Sequence, residues 1–415
     1  MNSALIRPVL VLYLAVFMLM AGAGTLTTVL GVRLADATMT TLTIGSVMAA
    51  YSAGLTLGSL TAFRMILRVG HIRAFSALSS ILSAATLLHG LGVDPIFWAL
   101  LRLAAGYCMA GLFVCVESWL NQNATPASRG QILAFYMISL YGGQGVGQFL
   151  LNVGAEQPFL IFVLISIILS LALVPVALTR QAPPQLPRIS SFSVARLWRA
   201  SPLGLLGVVL AGLVGGALFA LAPVYLRQLG YGVAETAMFM SATILGGVAL
   251  QWPLGRLSDL FDRRTVIVGL FILLALTGSF LAFAGPLDLV LLVAGAALFG
   301  GVTFTLYPVC VAHTNDFLSP DDIVSASGGL VLGYSMGATL GPFIASAAME
   351  LGGPSGLFLF AGVVGAIGAS FGLARMLARP AIPNDQQGSF TAMPGTTPVA
   401  VPLNPRTPEE AVGTS

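Results

Sequence analysis

The chain contains no lysine; its 18 basic residues are all arginine. That absence follows genomic base composition rather than mechanism and carries no functional weight. Charge of either sign is scarce, 8% of the 415 residues, while 57% are hydrophobic; soluble domains carry roughly 25% charged residues. No soluble core of this length hides so much apolar surface, so the soluble domains that length alone would suggest give way to a polytopic membrane protein. Cysteine is limited to Cys108, Cys115 and Cys310, all inside apolar runs. Cys108 and Cys115 stand about 10 Å apart along one helical run, too far to bridge, and read as small buried hydrophobes. Histidine is limited to His71, His89 and His313, which are scattered and give no metal-ligand spacing. No Walker loop, zinc-protease motif or nucleophile elbow occurs. Gly143, Gly145 and Gly147 follow no strand and have the wrong spacing for a dinucleotide fingerprint. Neither an enzymatic site nor ATP hydrolysis is therefore expected, and no cofactor or metal is called for.

What the chain does have is long apolar runs. About 20 mostly apolar residues span a bilayer as a helix. Twelve segments qualify: 8 to 31, 43 to 63, 73 to 92, 95 to 118, 131 to 152, 158 to 178, 203 to 226, 236 to 255, 265 to 284, 287 to 312, 324 to 349 and 355 to 377. Transmembrane β-strands would instead alternate over about ten residues. Short turns such as Gly92 to Asp94 and Gly285 to Pro286 make neighbouring helices antiparallel. The first run, Val9 to Val32, is too long for the core of a cleaved signal peptide and is expected to stay as the first helix.

Arginine placement orients the bundle. One side receives Arg7, Arg64, Arg68, Arg73, Arg129, Arg180, Arg188, Arg196, Arg199, Arg256, Arg263, Arg264, Arg375, Arg379 and Arg406, and the other only Arg33 and Arg227. The arginine-rich side is expected to be cytoplasmic, with both termini inside the plasma (inner) membrane. Gln181 to Ser201, with Pro183, Pro184 and Pro187, divides the helices into two sets of six. Its basic, partly apolar run Phe192 to Trp198 reads either as a membrane-surface segment or as a solvated loop. The expected units are a first six-helix bundle over 1–180, a linker over 181–201, a second bundle over 202–379 and a disordered tail over 380–415. The tail is rich in Pro, Thr, Gly, Asn and Gln and poor in large apolar residues.

The stretch from Asp94 to Pro126 organises the rest. It is almost unbroken apolar sequence from Pro95 to Val116, yet carries Arg102 and ends on Glu117. A charge at bilayer depth costs at least a few kcal/mol, so Arg102 needs a compensating role. A shift of 194 positions lays Asp94 on Asp288, Gly106 on Gly300, Asn121 on Asn315, Pro126 on Pro320, Gly143 on Gly337 and Gly147 on Gly341. The matches fall at segment ends and at glycines inside apolar runs, which reads as two related halves with a site between them.

After the eighth segment comes Gly255-Arg256-Leu257-Ser258-Asp259-Leu260-Phe261-Asp262-Arg263-Arg264. This run resembles the loop signature of the major facilitator superfamily, and with twelve segments and a central linker the resemblance covers residues 1 to about 380. The matching first-half loop keeps Gly58, Leu60 and Arg64 but has Ala62 where the family has an acid. Arg102 with Gly106 resembles the family's fourth-helix signature. The run Glu117-Ser118-Trp119-Leu120-Asn121 is similar to one in a poorly characterised bacterial branch. The glycines 329, 333, 337 and 341 with Pro342 resemble an antiporter signature, though on the eleventh rather than the fifth segment, and close helix packing explains them.

The resemblance implies an all-α fold of twelve transmembrane helices in two pseudo-symmetric bundles that rock about a mid-membrane site. The expected function is secondary transport of a small solute by alternating access, with proton coupling one option. A cavity arginine without an intramembrane acidic partner favours an anionic or zwitterionic solute. A lipid-headgroup transporter, or a non-transporting receptor or scaffold, is the alternative. The partners are the solute, the bilayer and, with coupling, protons, with no nucleic acid; the chain is expected as a monomer. Gly255, Asp259, Arg263, Arg264 and Gly58 are the gating candidates. The cavity candidates are Arg102, Tyr107 and Phe113, Tyr13 and Phe17, Gln144 and Gln148, Phe219 and Tyr225, and Phe304 and Tyr307. Arg102 either faces the cavity or snorkels to the outer interface. Glu117 either takes a proton or pairs with Arg129. Gln144, Gln148 and Asn152, with Tyr141 beside them, face either a wet cavity or other helices.

Overall fold

A computed structural model describes residues 3–154, 157, 159–178, 184, 193–284, 288–378, 380–383 and 386–407. The side chain of Arg7, together with Arg180, Arg188, Arg379, most of the 181–201 linker and residues 408–415, lies outside the described residues. Among the described residues every regular element is a helix, with no strand. The membrane helices are α1 (Ser3–Asp36), α2 (Thr41–Val69), α3 (His71–Leu88), α4 (Pro95–Gln122), α5 (Arg129–Gly147), α6 (Leu160–Ala177), α7 (Pro202–Gln228), α8 (Val233–Leu260), α9 (Arg263–Ala284), α10 (Leu289–Asn315), α11 (Pro320–Gly352) and α12 (Gly356–Ala378). Eleven of them are long and apolar enough on their own to cross a membrane. The remaining one, α5, is shorter and continues as a 3₁₀ helix over Gln148–Gly154. Leu10, Leu100, Ile138, Leu276 and Val363 project from the outside of the bundles, where lipid is the only solvent that suits them. The chain is an integral membrane protein.

The two halves repeat each other's packing. In the first, α1 packs on α5, α2 on α4, and α3 on α4 and α6; in the second, α7 packs on α11, α8 on α10, and α9 on α10 and α12. The residues related by the 194-position shift occupy equivalent places. Asp94 and Asp288 both cap helix N-termini, Asp94 Oδ1 accepting from the Phe97 N–H at 2.7 Å and Asp288 Oδ1 from the Val290 N–H at 2.6 Å. Gly106 lets α4 lie so close to α2 that a Cβ would strike the Tyr51 carbonyl; Gly300 does the same for α10 against Thr243 of α8. Gly143 and Gly147 admit the α1 backbone at Phe17 and Ala21, and Gly337 and Gly341 admit α7 at Val209 and Leu213.

Between the halves, α1 meets α7, α2 meets α11, and α5 with its 3₁₀ extension meets α8. These contacts are tight on the side opposite the arginine-rich loops. There Asp36 pairs with Arg227 at 2.7 Å, Ser241 Oγ donates to the Gly145 carbonyl at 3.2 Å, and a Cβ on Gly45 would strike Ser346 and the Pro342 carbonyl. On the arginine-rich side the halves part, and the space between them is filled by the end of the chain. The expectation of a disordered tail over 380–415 is thus corrected for residues 386–407. Met393, Thr397 and Val399 to Asn404 are buried, with a 3₁₀ turn over Pro398–Leu403. Its few apolar groups are too sparse for a core of their own, but a vestibule already walled by helices supplies one. Of the linker, the short helix Val194–Ala200 is described. It docks on the second half, Arg196 pairing with Asp322 at 2.8 Å and Trp198 resting on Phe371 at 6.1 Å between ring centroids.

Candidate solute cavity

A cavity of about 220 Å3 lies between the halves. Thr27 of α1, Tyr51 and Ser52 of α2, Arg102 and Phe113 of α4, and Tyr141 and Gln144 of α5 wall it from one side. Phe219 of α7 and Tyr334 and Ser335 of α11 face them. Pro394, Gly395 and Thr396 of the tail close it toward the arginine-rich side.

Arg102 reaches this cavity because the apolar run from Pro95 carries it into the bundle, two turns down from the Asp94 cap. It is 2% exposed. Its Nη1 donates to Thr27 Oγ1 at 3.2 Å, its guanidinium carbon sits 4.2 Å from the centroid of the Tyr51 ring, and its Nε has no partner. Its described surroundings offer no carboxylate within ion-pair distance. A hydroxyl and a ring face compensate a buried cation only in part.

Other candidates fall in several places. Phe113, Gln144 and Phe219 line the cavity with Arg102. Phe304 stands just behind its wall, 4.9 Å from the Tyr141 ring and 6.0 Å from Phe219, while Tyr307 packs on Tyr334 at 4.9 Å. Gln148 is an interhelical strut, accepting from Thr28 Oγ1 at 2.8 Å and donating to the Gln144 carbonyl at 3.2 Å. Tyr13 donates to the Ile132 carbonyl at 3.0 Å, and Phe17 packs along Gly142 and Gly143, so both join α1 to α5 away from the cavity. Tyr225 donates to the Leu281 carbonyl at 2.8 Å inside the second bundle. The backbone of Tyr107 abuts Gly58, placing both at the α2–α4 contact rather than in the cavity or at a loop. Asn152 is exposed on the 3₁₀ extension. Tyr51, Tyr334 and the tail residues were not singled out from the sequence. Tyr51 precedes Gly54 and Gly58 by helical intervals, and Tyr334 lies inside the α11 glycine series, so a search for aromatics flanking such ridges would have found both.

Glu117 lies one level below the cavity, fully buried. It accepts from Tyr136 at 2.8 Å and from the hydroxyls of Thr396 and Thr397. The alternative partner, Arg129, instead donates to the Thr407 carbonyl at 2.6 Å. The gating candidates other than Gly58 gather around the α8–α9 loop. Arg263 pairs with Asp259 at 3.0 Å and with Asp316, and Arg264 with Asp262 at 2.8 Å. Burial alone would raise the Asp262 carboxyl; the bonds from Arg264 outweigh it and hold the group below its ordinary range, so this loop is ion-paired at neutral pH. Asp316, at the C-terminal end of α10, was also missed; it ties Arg263 to Arg406.

The family model of the Major Facilitator Superfamily matches residues 12–256 and 204–405. A Salmonella enteritidis protein described as the uncharacterized MFS-type transporter YcaD is 31% identical over 355 residues, covering 84% of this chain and 90% of the relative. Its Salmonella typhi counterpart is 31% identical over 351 residues, covering 83% and 89%. Among solved structures, the nucleoside transporter NupG superposes with a TM-score of 0.74 at 14% identity, covering 90% of this chain and 99% of that one. A bacterial homolog of the human lysosomal transporter Spinster, inward-facing and occupied, gives 0.71 at 18% identity, covering 92% and 98%. At these identities the structures speak to the fold alone.

Proposed function

Because the chain belongs to the major facilitator superfamily, we propose that it is a secondary transporter that carries a small anionic or zwitterionic solute through the cavity between its halves, Arg102 binding the negative group. The observation that carries the substrate class is the buried guanidinium of Arg102, which faces the cavity without a carboxylate partner. Tyr51, Thr27 and Gln144 supply the neighbouring polar contacts, and Phe113 and Phe219 an apolar wall. The Asp36–Arg227 pair and the Gly45 contact join the helices of the two halves on the opposite side, whereas on the arginine-rich side the helices part and only the tail stands between cavity and solvent. On this reading that side, which the arginine bias assigns to the cytoplasm, is the one the helices leave open. Transport then requires the two halves to rock, breaking those contacts and closing the mouth through Asp259 and Arg263. Glu117, between cavity and mouth, is the acid placed to carry a proton with the solute.

A thermal-shift screen of purified protein with carboxylates, phosphates, amino acids and neutral sugars tests the reading. A solute that binds the folded chain raises its melting temperature. Anionic hits should lose about ten- to a hundredfold in affinity in Arg102→Ala, the worth of one charge-assisted bond, and Arg102→Lys should restore only part, since a point charge lacks the guanidinium fork. Full affinity in Arg102→Ala, with melting temperature unchanged, would remove the anionic assignment.

A further inference from the structure

The tail reaches deeper than a terminus needs to. It enters beside the α8–α9 loop, where the Phe390 ring covers Gly255, the Phe390 N–H donates to Asp259 Oδ1 at 2.7 Å, and the Gly388 carbonyl accepts from Arg263 at 2.7 Å. It then climbs to an apex in the cavity wall, with Gly395 against the rings of Tyr334 and Tyr307 and the hydroxyls of Thr396 and Thr397 on Glu117. It leaves along the other half, where Asn121 Nδ2 donates to the Val399 carbonyl at 2.6 Å and Arg129 holds the Thr407 carbonyl. The two ends of the loop meet on Asp316, which accepts from the Gly388 N–H at 3.2 Å and from Arg406 at 2.9 Å.

From Ser389 to Pro405 the inserted segment carries no charge. The charged partners are on the helices: Glu117, Arg129, Asp259, Arg263 and Asp316, drawn from both bundles. Groups of that kind are compatible with a water-filled vestibule as well as with an occupant, which is what an exchangeable ligand requires. We propose that the vestibule on the arginine-rich side is a binding site for a looped Thr/Pro-containing peptide segment, uncharged from its apex to Pro405 and anchored at its end by an arginine, and that residues 386–407 of the chain are its resident ligand. While seated, the segment closes the cavity's one open side and fastens both halves at a single separation. A solute enters from that side only after the tail leaves. The inference goes beyond the transport reading and needs no identified solute.

The test uses the full-length chain with its three native cysteines replaced by alanine. In a Gly395→Cys, Tyr334→Cys variant, a short bismaleimide should cross-link tail to α11. In a Ser335→Cys variant, a charged, water-soluble maleimide should label the cavity slowly. Adding Thr396→Asp and Thr397→Asp, which sets carboxylates against Glu117 without touching the bundles, should speed labelling by about tenfold, as the open population rises. A synthetic peptide of residues 386–407 added in excess should slow it again, and a scrambled peptide should not. Absence of the cross-link in the full-length chain, or equal labelling rates with and without the Asp pair, would overturn the proposal and leave the anion assignment of Arg102 standing.

Discussion

Two of the ion pairs that link distant parts of this molecule, Asp36–Arg227 and Arg263–Asp316, have surroundings that give them different weights. Asp36 and Arg227 are 44% and 27% exposed, a setting in which a pair contributes about 1 kcal/mol or less. Arg263 and Asp316 are each 1% exposed. Removing one member of such a pair strands a buried charge, a loss of about 3–5 kcal/mol. Asp316→Ala should therefore lower the melting temperature of detergent-purified protein by several degrees, whereas Asp36→Ala should move it little. Equal effects would mean that Arg263 finds other compensation in Asp259 and the tail. From the sequence Arg263 was legible, because it belongs to a recognisable loop run. Asp316 was not: it ends an apolar helix as an ordinary capping acid would, and its role depends on a residue 90 positions later, Arg406. Arg102 stood out as a charge in an apolar run, but Tyr51, which lies against it, looks in the sequence like any aromatic core residue.

At the scale of elements, the paired glycines make the sharpest forecast. Gly106 and Gly300 hold equivalent crossings, α4 on α2 and α10 on α8, and in each case a Cβ would meet a backbone carbonyl that cannot step aside. Overpacking of this kind costs about 1–3 kcal/mol. Gly106→Ala and Gly300→Ala should each lower the melting temperature, by similar amounts, while alanine at Gly269, which has open space around it, should be tolerated. A large effect at one of the pair and none at the other would separate the two halves mechanically. The helices themselves were legible because lipid demands length and apolarity. The end of α5 was less so: the segment read as 131 to 152 turns 3₁₀ from Gln148, whose side-chain carbonyl there accepts from Thr28 of α1. The tail was illegible for the opposite reason, since low apolar content signals disorder only for a segment that must fold alone. Thr396 and Thr397 find their acceptor in Glu117, some 280 positions earlier, and no local pattern announces such a contact.

For the whole molecule, sidedness decides what the tail obstructs. Cysteines placed at Asp94 and Asp288 in whole cells should react with an impermeant maleimide, and one at Ser193 should react only after the cells are opened. Labelling of Ser193 from outside would invert the bundle and make the tail an outward plug. The tail also joins α12 through the short stretch between Ala378 and Gly388. A ligand on so short a leash meets its site at an effective concentration on the order of millimolar, whatever its abundance in the cell. If the tail is the resident ligand, a solute arriving from the arginine-rich side meets a competitor that dilution never removes. The solute's apparent dissociation constant is then raised by a constant factor set by the tail's effective concentration over its own dissociation constant, and cutting the tether should restore the intrinsic affinity.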